Sequence, residues 1–512
     1  MELVARIRRP GRLGTLGVDV GSALNLVGAV VKYLGAAFLF PAAIALGYEE
    51  PVWPFLAAGA ITVSAGFLVE RGTQGKERVG VREGFLVVAL TWLTVPAFGA
   101  LPYLLSDEPQ LANPVNAYFE AMSGFSATGA TVLTNIEALD HSVAMWRQFT
   151  QWLGGMGIIV LAVAILPRLR VGGRQLLQSE LAGPTEVERL SATIRETARR
   201  LWVLYVGLTL LAIAVLTLLG WTGLDSSMGL YEAAAHAFST LSIGGFSTHE
   251  ESLAAFGVAT QWAVVAFIVL AGINFLRLYL VLVQGKVRAV ARDDEFRLYL
   301  AFLLSGAILL LVELLAGGLA EGEEAIRHAV FQSVSIMTTT GFVTTDYTTW
   351  SSLAELTLLI LMFLGASAGS TGGSIKVVRH LLMFRIIRRE LEQTVHREAV
   401  VPVRLNRAVV DDRALRGVVT FIVLYIGLFA FGALGLVIDA QRAAVEVTSF
   451  EALGAAAACL GNVGPAFGFA GPLGSYEPFS DLSTGVLTGL MWLGRLEIIS
   501  VAVLLTRSYW RA

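Results

Sequence analysis

Charge is scarce in this sequence: 15% of its 512 residues are Asp, Glu, Lys or Arg, where a soluble chain carries about 25%. Cysteine is scarcer still. The single residue, Cys459, excludes an intrachain disulfide and has no companion thiol with which to hold a metal. The six histidines show no ligand spacing and read as structural. No HExxH, no Cys/His cluster and no supported nucleophile–base pair occurs, so an enzyme is not expected. No Rossmann fingerprint occurs either, which leaves the chain without a nucleotide site or cofactor of its own.

What the chain has in quantity is apolar surface: 55% of residues are hydrophobic and the mean hydropathy is +0.69. A bilayer core about 30 Å thick is crossed by roughly 20 apolar residues, and runs of that length recur along the chain. The first, over 24–46, is too long for a signal-peptide core. The expected fold class is an all-α polytopic membrane protein. Two helices lead, over 22–47 and 53–70. Four units follow, over 84–168, 200–285, 296–388 and 414–507. Each reads as a long helix, a shorter amphipathic helix, a Gly/Ser/Thr loop and a second long helix. The corresponding segments are 1–80, 81–175, 176–292, 293–392 and 393–512. Basic clusters at 6–12, 71–82, 168–200, 286–297, 376–407 and 507–511 alternate with acidic or neutral stretches such as 321–324. The positive-inside rule then places both termini in the cytoplasm and the four loops outside. This closes only if each short helix and loop dips in and returns, giving ten crossing helices and four re-entrant loops.

Those loops, "FSATGATVL", "LSIGGFSTH", "TTTGFVTTD" and "LGNVGPAFG", begin at Phe125, Leu241, Thr338 and Leu460. One such loop alone reads as a turn or a small-residue helix contact. Four on one face, each after an amphipathic helix, call for a different account. Non-helical backbone at membrane depth persists only where it is buried in protein or lines a water-filled path. Four loops around one axis can present a ring of carbonyls that replaces the hydration shell of a monovalent cation. Aligned on one glycine, the candidate filter and potassium-binding residues are Ala127-Thr128-Gly129, Ser242-Ile243-Gly244, Thr339-Thr340-Gly341 and Asn462-Val463-Gly464. The short helices, near 113–123, 229–239, 324–337 and 446–458, are expected to aim their negative C-terminal ends at the pathway. With one shared glycine rather than two, the filter is expected to discriminate less sharply between potassium and sodium than a TVGYG filter.

A second feature interrupts the last helix of unit three. Gly365, Ala366, Ser367, Ala368, Gly369, Ser370, Thr371, Gly372, Gly373 and Ser374 form a break without the G-K-[ST] or βαβ context of a phosphate loop. Its expected role is a gate below the filter. Charges within spans are costly and therefore informative. Arg495 lies deep in the final helix, and the carbonyls of the break are suitable partners for it. Lys376 follows the break and is expected to act similarly. Glu497, two residues beyond Arg495, points elsewhere and makes a poor partner for it. Asn274 and Arg277 read as helix-interface or inner-vestibule residues. No acid is expected within the filter region, which argues against coupled transport, and a secondary transporter would usually carry inverted rather than parallel repeats.

The four loops, together with "REGFLVVALTWL" from Arg82, "QWLGGMGIIVLAVAILP" from Gln151, "SAGSTGGSIKVVR" from Ser367 and "GRLEI" from Gly494, closely resemble the TrkH family of bacterial potassium-uptake proteins. That family belongs with KtrB and plant HKT proteins in one superfamily. The resemblance covers nearly the whole chain, and the two leading helices look like TrkH rather than KtrB. It implies a pseudo-fourfold pore in each subunit, with filter glycines at Gly129, Gly244, Gly341 and Gly464, a gating loop over 365–374 and the arginine below the filter at Arg495. It further implies a homodimer in the bacterial inner membrane. A cytosolic TrkA-like ring that responds to ATP, ADP or NADH would regulate it. Two departures stand out: Ser374 where many relatives have a third glycine, and Ala127 where many have threonine. The implied function is a potassium-uptake pore; a proton- or sodium-coupled symporter using the same filter is the alternative.

Overall fold

The computed structural model describes residues 18–73, 80–164 and 194–511. The basic cluster at 6–12 and most of that at 168–200 lie outside the described residues. The described chain is almost wholly helical. Its only strands are Arg404–Leu405 and Ala408–Val409, an antiparallel pair turned by Asn406 and Arg407, both at positive φ as a tight two-residue hairpin demands.

The leading pair is Val20–Leu34, continued through a 3₁₀ turn by Leu39–Gly47, and Trp53–Gly72. Their backbones come close because Gly66 has no side chain: a methyl there would lie 2.4 Å from the Lys32 nitrogen. Lys32, midway along the first, and Glu70, near the end of the second, form a 2.5 Å ion pair.

Four times thereafter a long helix leads into a short one. The short helices are Pro114–Phe125, Leu230–Ser242, Gly322–Thr338 and Ser449–Gly461. Local chemistry starts several of these elements. The Asn113 side chain caps the first with Pro114 at its opening position. Thr448 and Glu451 form a reciprocal capping box on the fourth. The long helices that precede them carry apolar residues around most of their circumference. Leu210, Leu304, Ile308, Val423 and Phe431 are exposed on their outer faces, as lipid contact requires.

The second helices of the units depart from expectation. Only that of unit one, His141–Ala164, runs unbroken through its described residues. In unit two, Val258–Ala271 and Phe275–Leu282 meet at 109°, and in unit four Asp481–Arg495 and Ile499–Leu505 meet at 103°. In unit three the break over 365–374 separates Ser352–Leu364 from Val377–Val395. The first bend is stabilised by Asn274, whose side chain accepts from Leu276 and Arg277 and restarts the helix. The second contains neither glycine nor proline; Glu497 and Ile498 sit at φ 55° and 50°, and Glu497 is tied to Arg379 at 2.6 Å. The second bend is tied by a tertiary partner and periodicity reads through it; the first carries its own local cap. Among the described residues, six helices are long and apolar enough to cross a bilayer, or eight if each bent pair is one span, against the ten expected. Ser352–Leu364 has only 13 residues before its break and falls short on length.

Candidate functional site

Each short helix ends in a residue forced left-handed, followed by one more residue and a left-handed glycine. The pairs are Ala127 and Gly129 (φ 51° and 84°), Thr339 and Gly341 (71° and 82°), and Asn462 and Gly464 (55° and 104°). In loop 2 they are Ile243 and Gly245 (57° and 79°), not Ser242 and Gly244. The middle residues agree: the N–H groups of Thr128, Gly244, Thr340 and Val463 each donate over 2.8 Å to the carbonyl five residues back. The second loop is therefore shifted by one from the alignment made on sequence. Ser242 belongs to the helix, and Gly245 is the counterpart of Gly129, Gly341 and Gly464. Two adjacent glycines leave that choice open in sequence; the helix-end hydrogen bonds decide it.

The loops close on one another in chain order. A methyl at Gly129 would lie 2.3 Å from the Gly244 carbonyl oxygen, and one at Gly245 would lie 2.0 Å from that of Thr340. At Gly341 the distance to the Val463 oxygen would be 2.1 Å, and at Gly464 the distance to the Thr128 oxygen would be 2.6 Å. Each glycine thus carries the middle carbonyl of its neighbour, and the fourth loop returns to the first. Any side chain here would meet both an unfavourable φ and a backbone wall.

Polar side chains buttress the ring from behind, and most were not legible beforehand. Glu120 and Arg147, both without solvent exposure, form a 2.8 Å ion pair. Glu120 also accepts from the Thr131 hydroxyl and the Val132 N–H, while Arg147 donates to the Ser247 carbonyl of loop 2 at 3.3 Å. The expected lack of an acid around the filter is thereby corrected: Glu120 sits directly behind loop 1. Arg147 was detectable, being a lone charge in the apolar stretch "AMWRQF" just as Arg495 is in its own helix. Gln151 donates to the Gly244 carbonyl at 2.5 Å and accepts from Phe246 N–H. The Asn462 amide joins loop 4 to Thr128 Oγ1 of loop 1 at 3.0 Å. Tyr476 donates to the Gly464 carbonyl and Tyr347 to that of Ala466. Buried groups paired in this way hold the loops in one arrangement.

Residues after the glycines face an open vestibule, lined by Gly129, Gly245, Gly341 and Gly464 with Arg147 and Tyr476. Residues before them face the break over 365–374. Its Thr371 hydroxyl donates to Leu241 O at 3.2 Å, and its Gly373 N–H to Thr339 Oγ1 at 2.7 Å. A methyl at Gly373 would lie 2.3 Å from Gly461 O. The break therefore lies against the ends of the second, third and fourth short helices, on the side of the ring away from the vestibule. Gly365, Gly369 and Ser374 take positive φ within it, and Ala366, Ser367, Ala368, Ser370 and Gly372 complete it, all buried.

Two cations and an anion hold the break in place. Arg495, 3% exposed, donates to the Thr371 carbonyl at 2.9 Å and across to the Gly154 carbonyl of unit one at 3.2 Å. Lys376 donates to the Gly372 carbonyl. Glu295 accepts from the Ala368 N–H at 2.6 Å. Glu497 pairs with Arg379 rather than Arg495, and Arg277 pairs with Asp293 at 2.6 Å. His141, His236, His249, His328 and His380 find side-chain hydrogen-bond partners; His236, for one, bridges the Glu232 carbonyl and Ser247 Oγ.

The family model for TrkH, a cation transport protein, matches residues 54–511. The chain is 35% identical over 492 residues to the Trk system potassium uptake protein TrkH of Halomonas elongata, covering 95% of this chain and 98% of that protein. It is 34% identical to that of Escherichia coli K12, with the same coverage. A crystal structure of the potassium transporter TrkH from Vibrio parahaemolyticus superposes with a TM-score of 0.85 at 32% identity, over 96% of this chain and all of that one. With a ring of four glycine loops, a break beneath it and these matches over nearly its full length, the chain belongs to the TrkH family of cation transport proteins.

Proposed function

We propose that this chain is the pore subunit of a potassium-uptake system, with the ring of loops as its selectivity filter and the break over 365–374 as its gate. The relatives bearing the name Trk system potassium uptake protein supply the ion. The mutual packing of four left-handed glycines around one ring is the observation that carries the rest. Backbone held this tightly presents carbonyl oxygens at fixed separations, and a cation shedding its hydration shell needs that geometry. Potassium, with sodium and rubidium as possible companions, is cargo; the chain itself needs no cofactor. The Gly244 carbonyl already takes the Gln151 amide, so loop 2 contributes unequally, consistent with a moderately selective filter.

Gating follows from where the break sits. It fills the space at the negative ends of three short helices, where a dehydrated cation would otherwise rest, and the guanidinium of Arg495 opposes a cation there. Conduction requires the break to withdraw. Glu120 is held by Arg147 and offers no free carboxylate to carry a proton, so a pore accounts for the site better than a symporter. We further propose that the vestibule faces outside and both termini face the cytoplasm of a bacterial inner membrane, since the arginine-rich helix Val377–Val395 lies on the gate side. A homodimer gated by a cytosolic TrkA-like nucleotide-binding ring completes the reading; ATP, ADP or NADH would bind the ring and not this chain.

The test is radioactive rubidium uptake into proteoliposomes, with potassium and sodium as competitors, for wild type and Gly341→Ser, with and without the ring. Inhibition by potassium far more than by sodium, lost in the variant, is expected. A variant that transports with unchanged preference would remove the filter from these loops.

A further inference from the structure

Beyond the gate, the helix Val377–Val395 and the hairpin at Arg404–Val409 enclose a pocket that the pore reading does not use. It is lined by Arg385, Arg388, Arg389, Arg404 and Arg407 against two carboxylates, Asp294 and Glu392, and measures about 1090 Å³ including its open mouth. Arg385 is committed to Asp294 at 2.8 Å, and Arg389 to Asp412 and Glu390, though its Nε is buried without a partner. Among the described residues, Arg388, Arg404 and Arg407 have no ion pair. Five arginines against two carboxylates leave an excess of positive charge around the pocket, which costs free energy unless an anion offsets it.

The hairpin that carries two of these arginines is tied to the neighbouring helix. Asn406, at the hairpin turn, donates from its side chain to Asp293 at 2.6 Å and from its backbone to Asp294 at 3.1 Å. This fixes Arg404 and Arg407 on either side of it. We propose that this pocket is a phosphate-binding site. Guanidinium groups match the planar oxygen pairs of a phosphate, and three or more around one cavity suit an anion with several acceptor oxygens better than a single carboxylate. The helix that carries Arg388 also exposes Phe384, Ile387 and Leu391, placing the pocket at the edge of the apolar belt. The phosphodiester of an anionic lipid and a soluble phosphate both fit this chemistry.

The pocket is joined to the gate through three consecutive acids. Asp293 holds Arg277 and Asn406, Asp294 holds Arg385, and Glu295 holds the Ala368 N–H of the break.

Binding to the full-length protein in detergent tests the proposal without any ion flux, so its outcome is independent of the pore reading. Native mass spectrometry would titrate phosphatidylglycerol against phosphatidylcholine, and calorimetry would titrate inorganic phosphate. The proteins are wild type, the triple variant Arg388→Gln/Arg404→Gln/Arg407→Gln and the control Arg416→Gln, whose arginine is exposed and outside the pocket. A preference for phosphatidylglycerol of about tenfold or more, lost in the triple variant and kept in the control, supports the lipid source. Saturable phosphate binding with the same dependence on the variants supports the soluble source. Wild type that shows neither overturns the proposal, as does a preference that survives the triple variant or falls equally in the control. The three arginines are surface groups, and an unchanged circular dichroism spectrum and gel-filtration profile would verify folding.

Discussion

At the residue scale, the second loop offers a sharp discrimination. Gly245 takes φ +79° against the Thr340 carbonyl, whereas Gly244 lies outside the left-handed region and an added methyl there meets the Gln151 side chain rather than backbone. A left-handed alanine costs about 1–2 kcal/mol before any backbone clash. Gly245→Ala is therefore expected to reduce potassium-over-sodium preference in rubidium uptake by about tenfold, and Gly244→Ala by clearly less. The reverse order would restore the sequence alignment. Glu120 and Arg147 make a second case. Removing one partner of a fully buried pair leaves an uncompensated charge, at about 3–5 kcal/mol. Glu120→Ala should lower the thermal unfolding midpoint in detergent strongly, and Glu120→Ala/Arg147→Ala should recover part of the loss. A double variant no more stable than the single would mean that the charge is not the cause.

At the scale of elements, the break over 365–374 is pinned by single contacts that can be cut one at a time. Glu295→Gln weakens its hold on the Ala368 N–H, and Arg495→Gln removes the charge bridging Thr371 and Gly154. Either substitution should raise the rate of rubidium uptake several-fold while leaving the potassium-to-sodium preference unchanged, because the ring itself is untouched. A fall in rate with altered preference would show that these side chains shape the filter instead. The short helices were placed from sequence to within a few residues because amphipathic periodicity marks all four locally and capping residues mark the first and fourth. The bends at 272–274 and 496–498 were not: the second holds no local breaker and is tied through Glu497 to Arg379, and at the first the capping Asn274 reads equally well as an interface residue.

At the scale of the whole molecule, the leading helix pair is clasped to unit one by Glu50, which accepts from the backbone N–H groups of His141 and Ser142 at 2.7 and 2.8 Å. Partial burial alone would raise the Glu50 carboxyl. The hydrogen bonds from Ser142 and His141 outweigh it and hold the group below its ordinary 4.5. A depressed carboxyl contributes its stability in full above the ordinary carboxylate range and loses it as pH falls through the lowered value. Wild type should therefore lose thermal stability more steeply than Glu50→Gln as pH drops below about 4.5. Parallel profiles would mean that the clasp adds nothing.

Class, order of elements and the four glycine loops were all legible in the residues, since hydropathy, capping and glycine act locally and leave a mark wherever they occur. The partner of Arg495 could be foreseen in kind, as a carbonyl of the break. Tertiary structure alone decided which of Gly244 and Gly245 completes the ring, that Glu120 and Arg147 meet behind it, and that Asp293, Asp294 and Glu295 join the hairpin, the outer helix and the break. Each of these joins segments far apart in the chain. A contact of that kind depends on the relative placement of whole helices, which no local pattern encodes.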